Sequence, residues 1–249
     1  YVEQRTNHES WRKTNISTTE KGLYKDIPYE HIIPKKNWEE SLWDGIRLQL
    51  RQYISDKKVQ SHTGVNNLLS SWVLCANLYF PIRNNPTLKT LMAEFLRQKV
   101  SDQIIEIEEV ELEFAFEPDD KLHPSQLLGE TDGYRGANQT SPDVAFIVKT
   151  KEGEGIILTE CKYTEKSFYN CSALTTKGST RREGNPNPER CFELASKADY
   201  KGICHQTVWG RKYWDYLKLS AKGKQTLTHC LAANGGYQLF RQQALAEGI

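Results

Sequence analysis

Along the first hundred positions, apolar residues recur at helical spacing. In 37–56, NWEESLWDGIRLQLRQYISD, Leu42, Ile46, Leu50 and Ile54 fall four apart and predict one face of an amphipathic helix. Residues 64–80, GVNNLLSSWVLCANLYF, are apolar on more than one side and predict a buried second helix, interrupted at Pro81. A third is predicted over 86–98 through Leu88, Leu91, Phe95 and Leu96. The period then drops to two. In EEVELEFAFE (108–117), Val110, Leu112, Phe114 and Phe116 alternate with Glu109, Glu111, Glu113 and Ala115, the pattern of a strand with one face in water.

Polar chain with several glycines predicts a loop over 118–140. Two short apolar runs follow, DVAFIV (143–148) and GIILTECKY (155–163), joined by KTKEGE. They predict a hairpin with glycine in its turn. Residues 167–190 are rich in Ser, Thr, Asn, Pro and Arg and predict a long loop, with helical patterning at 188–200, 204–219 and 236–247. In WGRKYWDY, Trp209, Tyr213 and Tyr216 lie near helical spacing and read as core. Helices, three strands, then helices predict an α/β or α+β fold around a small central sheet.

The hairpin brings chemistry together. Sixteen residues lie between Asp143 and Glu160, so a hairpin centred near 151–152 sets the two opposite each other. Glu160 and Lys162 are two apart on one strand and share a face. Two carboxylates and an ammonium would then converge on one face of the sheet. Desolvating unpaired carboxylates costs several kcal/mol each, and a divalent cation is their natural partner. Such a trio suits metal-assisted phosphodiester hydrolysis. A solvated ion-pair ladder would use the same residues.

The 249 residues carry 33 Lys plus Arg against 32 Asp plus Glu, a net charge of +1, with 38% hydrophobic residues. That composition supports a real core and excludes a disordered polyelectrolyte or a uniformly basic DNA binder. The average hides a polarised map. Residues 102–133 hold eleven acidic side chains and one lysine, a net of −10, whereas 161–224 hold thirteen basic and six acidic ones, a net of +7. Lys166, Lys177, Arg181, Arg182 and Arg190 lie on or beside the long loop after the trio and are candidate DNA contacts. No apolar run approaches the ~18 residues of a membrane span, and the first thirty residues show no signal-peptide core, so a cytoplasmic protein without membrane contact is expected.

The six cysteines form no CxxC pair, and reduced thiols are the expectation. Cys171, Cys191, Cys204 and His205 offer zinc-type donors, at gaps far from the usual spacing. A thiol hydrolase built on Cys204 lacks a Cys/His/Asn framework.

SPDVAFIV followed by ILTECK resembles the PD-(D/E)XK nuclease superfamily, the restriction-endonuclease-like fold. It is most similar to a bacterial subgroup in which LGE precedes the Asp and KYTE follows the Glu, here Leu128-Gly129-Glu130 and Lys162-Tyr163-Thr164-Glu165. The resemblance implies a restriction-endonuclease-like core over 61–249, with a small mixed central sheet flanked by helices. Residues 1–60 would be an N-terminal extension with one amphipathic helix. The usual fold has a further strand after the last helix, which this chain does not show. Asp143, Glu160, Glu130 and the Cys161 carbonyl would be ligands of Mg2+ or Mn2+, and Lys162 the catalytic lysine. Glu94 is a weaker candidate for the third carboxylate, and Gln238 could match a glutamine that some members carry on a later helix. The implied function is a metal-dependent deoxyribonuclease, an endonuclease of restriction, defence or repair. It would act on DNA, alone, as a homodimer or within a larger protein. The alternative is a catalytically silent module of the same fold that binds DNA or a protein.

Overall fold

Leu50 is buried on one side of a helix, as its spacing predicts, while Tyr53 takes the buried place expected of Ile54, which is half-buried, and the elements around them follow in chain order. The computed structural model describes residues 1–193 and 199–249. Elements begin with α1 (Val2–Asn15), the small hairpin β1 (Gly22–Tyr24) and β2 (Ile27–Tyr29), then α2 (Arg47–Asp56), α3 (Ser71–Arg83) and α4 (Pro86–Lys99). Strand β3 (Ile104–Leu112), the short α5 (Pro124–Leu127), β4 (Val144–Thr150) and β5 (Gly153–Thr159) come next. After them come α6 (Tyr200–Ile203), α7 (Tyr213–Tyr216), α8 (Ala221–Thr226) and α9 (Tyr237–Gly248).

The chain divides into two compact units, one of residues 1–114 with 142–165, the other of 115–141 with 166–249. The division does not follow residue 60. Leu50 and Tyr53 of α2 enter the same core cluster as Ala76 and Phe80 of α3 and Val110 of β3, so the stretch from Leu42 to Val59 shares that core. Also in that unit, the buried Arg12 of α1 donates to the carbonyls of Glu30 (2.6 Å) and Ile32 (3.3 Å), fastening α1 to the β1–β2 hairpin.

Order β3-β4-β5 is antiparallel throughout, so the expected mixed sheet is in fact antiparallel. Register runs from Val144 opposite Thr159 to Thr150 opposite Gly153, which continues to set Asp143 against Glu160. The turn is the two residues Lys151 and Glu152, tighter than the four or five that the polar linker suggests. Gly153, at φ +138°, permits it. Val144, Phe146 and Val148 alternate onto the core face of β4.

Three element predictions change. Residues 35–46 form two 3-10 turns instead of the first half of a helix, because the Asn77 side chain accepts from Trp43 N (2.7 Å) where a helix would continue. Leu42 and Ile46 are buried all the same. α3 begins at 71, capped by Ser70, whose hydroxyl accepts from Trp72 N (3.2 Å), and Pro81 lies inside its last turn without ending it. β3 starts at 104 and stops at 112. Two irregularities, at Ile104/Glu106 and Ile107/Glu109, break its alternation, so that Ile104, Ile107 and Val110 are buried three apart. Glu111 and Glu113 are buried as well, against the expectation of a wet acidic face.

Among the described residues the second unit contains no strand. Its helices are short until α9, which matches 236–247. The expected helix at 204–219 is divided, Gly210 (φ +76°) turning the chain between a 3-10 turn at His205–Thr207 and α7. That at 188–200 is a 3-10 turn at Pro188–Phe192, and 194–198 lie outside the described residues. Tyr213 is core, as expected; Trp209 and Tyr216 are only half-buried. No helix among the described residues is long and apolar enough to cross a membrane.

Candidate active site

Past the last rung of β4 and β5, the two chains remain tied. Asp143 Oδ2 accepts from the Cys161 backbone N–H (2.7 Å), and Lys162 Nζ donates to Glu160 Oε1 (2.5 Å) and to the Cys161 carbonyl (3.3 Å). Glu160's side chain is 3% exposed and that of Lys162 17%. The strand geometry therefore brings together Asp143, Glu160, Lys162 and the Cys161 carbonyl. β3 abuts the same end: Glu113 N donates to the Asp143 carbonyl (3.0 Å) and Phe114 N to that of Pro142 (2.9 Å).

The segment after the lysine is anchored to the start of α3. Glu165 accepts from Ser71 N (3.2 Å) and from Tyr163 N (2.9 Å), while Thr164 Oγ1 donates to the Leu69 carbonyl (2.9 Å). Thus the residues of the KYTE segment lock the lysine-bearing strand end against a helix N-terminus, where a carboxylate is favoured.

Charge is crowded there. Burial, with Glu160's charge behind it, pushes the Asp143 carboxyl up to about 7. Burial opposes the Lys162 ammonium, but its hydrogen bond to Glu160 and the surrounding acids raise it above the ordinary lysine value. Lys162 is thus held as a cation. Two carboxylates and a backbone carbonyl are hard oxygen donors of the kind Mg2+ and Mn2+ take, so the donor set fits such an ion. Among the described residues no three His, Cys, Asp or Glu side chains are already set out as a metal-holding group. A site here would rest on two side chains, a carbonyl and water, as Mg2+ sites commonly do.

Glu130 lies in the second unit. It is fully buried, and its carboxylate accepts from Thr140 Oγ1 (2.7 Å), Tyr213 Oη (2.6 Å) and Arg241 Nε (3.1 Å). Burial alone would raise it, yet Arg241 and these donors hold it below the usual glutamate range. Gly129 before it sits at φ +69°, where any Cβ would press on the Gly210 carbonyl, so glycine is required there. Glu94 sits on the surface of α4, paired with Arg97. Glu113 is the acid that pattern reading missed. Alternation puts it on the solvent-facing side, whereas it lies just past the end of β3 at φ +48° and is buried. Gln238 opens α9 in the second unit, its N–H on the Phe168 carbonyl (3.0 Å).

All five candidate DNA contacts fall in the second unit. Lys177, Arg181 and Arg182 line one concavity of about 300 Å3 with Trp209. Arg182 is pinned there by Asp132 (2.5 Å) and lies over the Trp209 ring. Lys166 is exposed, and Arg190 contacts His205 Nδ1 (3.2 Å).

Residues 5–249 match the family described as Restriction Endonuclease associating with ARP, and the chain belongs to that family. No curated protein and no solved structure matches it. Membership supports nuclease function and interaction with DNA.

Proposed function

We propose that this chain is a divalent-metal-dependent deoxyribonuclease, an endonuclease centred on Asp143, Glu160 and Lys162. The observation that carries the reading is the placement of a half-buried carboxylate pair opposite each other at a hairpin end, with a lysine cation on one of them, in a chain of restriction-endonuclease family. Asp143, Glu160 and the Cys161 carbonyl would hold Mg2+ or Mn2+. When bound, the ion would acidify water and neutralise phosphate oxygens. Lys162 would hold a phosphate oxygen or orient the attacking water through its charged Nζ. Glu113 is the further carboxylate we assign to this end of the sheet. Glu130 we assign to the interior of the second unit. Lys177, Arg181 and Arg182 would contact phosphates, setting register without reading sequence.

The test is cleavage of supercoiled and linear DNA with Mg2+, with Mn2+ and with EDTA, by the parent chain and by Asp143→Ala and Lys162→Ala. Cleavage should need the metal and fall about a thousandfold in either variant, ~4 kcal/mol of barrier. Activity persisting in both would overturn the assignment. DNA binding retained without any Asp143-dependent metal binding would favour the silent module instead.

A further inference from the structure

The second unit holds a feature that phosphodiester chemistry does not use. Four of the six cysteines, Cys171, Cys191, Cys204 and Cys230, come from four separate segments and are all free. The backbone draws those segments together. Cys230 N donates to the Cys191 carbonyl (2.9 Å), and Cys171 N to that of Ala232 (2.7 Å). The buried Gln206, two residues past Cys204, reaches Cys171 Sγ with Nε2 (3.0 Å).

Three of the four open the same turn. Leu174 N, Thr207 N and Ala233 N donate to the carbonyls of Cys171 (3.1 Å), Cys204 (3.0 Å) and Cys230 (2.9 Å). In the first of these turns the backbone N–H two residues on, that of Ala173, also addresses the sulfur of Cys171 (3.4 Å). Neutral thiols are weak acceptors, whereas thiolates take several N–H groups. Cys171 Sγ already has two such donors on it, Ala173 N and Gln206 Nε2.

We propose that Cys171, Cys191, Cys204 and Cys230 form a structural zinc site that organises the second unit. Four thiolates are the donor set of closed, tetrahedral zinc. A unit without strands among its described residues, and with mostly one-turn helices, is the kind of fold that gains from such a tie. His205 is not a ligand. Its Nδ1 meets Arg190, and its Nε2 lies 3.4 Å from the Glu183 carbonyl. Among the described residues the four sulfurs are not gathered on a common point, and Gln206 Nε2 stands on one of them, so side-chain rotation completes the set. Burial lifts the thiols, Cys191 to about 11 and Cys230 to about 12, so loading must expel protons.

The experiment is metal analysis of the full chain purified from zinc-supplemented medium, followed by Co2+ titration of chelated protein. About one zinc per chain is expected, with the intense visible bands and sulfur charge-transfer absorption of tetrahedral thiolate cobalt. Cys204→Ser and Cys230→Ser should lose zinc to background; Cys75→Ser and His205→Ala should keep it. Should the serine variants fail to fold, the cobalt spectrum of the parent chain decides. Metal-free parent protein with no cobalt charge-transfer band, iron in place of zinc, or zinc that survives both serine changes would each overturn the proposal. None of these readouts depends on DNA cleavage.

Discussion

The two units are held together by different physics. The first has one apolar cluster running through α2, α3, α4, β3 and β4, with a hydrogen-bonded sheet at its centre. The second unit leans on buried polar joints: Glu130 with Arg241, Asp132 with Arg211 and Arg182, and the gathered thiols. A nuclease centre benefits from the first kind of support. Strand ends fixed by a packed sheet hold carboxylates to small tolerances, which electrostatic catalysis requires. The loops of the second unit suit phosphate contact, where adaptability is useful.

The sharpest way to break this contrast is to truncate one member of each kind of support. Phe146→Ala removes the ring at the centre of β4, which meets Tyr79 edge-on at 5.9 Å. It should cost the first unit about 3–5 kcal/mol by cavity formation. Glu130→Ala leaves the Arg241 guanidinium buried without its anion. It should cost the second unit about 3–5 kcal/mol for an uncompensated charge. Denaturant melts of both variants check the two values. If Glu130→Ala were nearly neutral while DNA cleavage vanished, the acid would be part of the catalytic machinery after all, and our assignment to the interior would fail.

Much of the first unit was legible, and for a physical reason. Period-two and period-four patterns survive when one element packs on another, so α4, β4, β5 and the opposition of Asp143 to Glu160 follow from spacing. What was hidden there depends on local exceptions. Glu113 lies just past β3 in a left-handed backbone conformation (φ +48°) that alternation does not foresee, and Asn77 diverts the chain at Trp43 while Leu42 and Ile46 still reach the core. The second unit was far less readable. Its short turns carry no long period, and its joins link residues a hundred positions apart, as Glu130 with Arg241. Even the glycine of LGE answers to the Gly210 carbonyl, which no spacing rule suggests. The cysteines show the same effect, since Cys230 joins the group only through a backbone bond to Cys191.

A smaller effect sharpens the role of the basic loop. Lys177→Ala and Arg181→Ala remove exposed charges from the concavity beside Trp209. Each should lower the salt dependence of DNA binding by about one in log–log slope and weaken all sequences alike. Stability should stay within about 0.5 kcal/mol. Binding isotherms over a range of salt check this; a sequence-selective loss would mean that these side chains read bases.

The smallest effect concerns the joint that pins the same concavity from below. Burial would raise Asp132, but the guanidiniums of Arg211 and Arg182 outweigh it and hold the carboxyl at about 2. A carboxyl with a depressed folded value stabilises the protein fully above its unfolded value of about 4 and loses that contribution as pH falls toward 2. The Asp132 side chain is 28% exposed, so the contribution is modest, ~1 kcal/mol. Asp132→Asn should therefore be less stable than the parent at neutral pH by that amount, and the gap should close between about pH 4 and pH 2. Paired denaturant melts across this range measure it. A gap that stayed constant down to pH 2 would show that Asp132 acts by shape and hydrogen bonding, and the second unit would then depend less on charge than its geometry indicates.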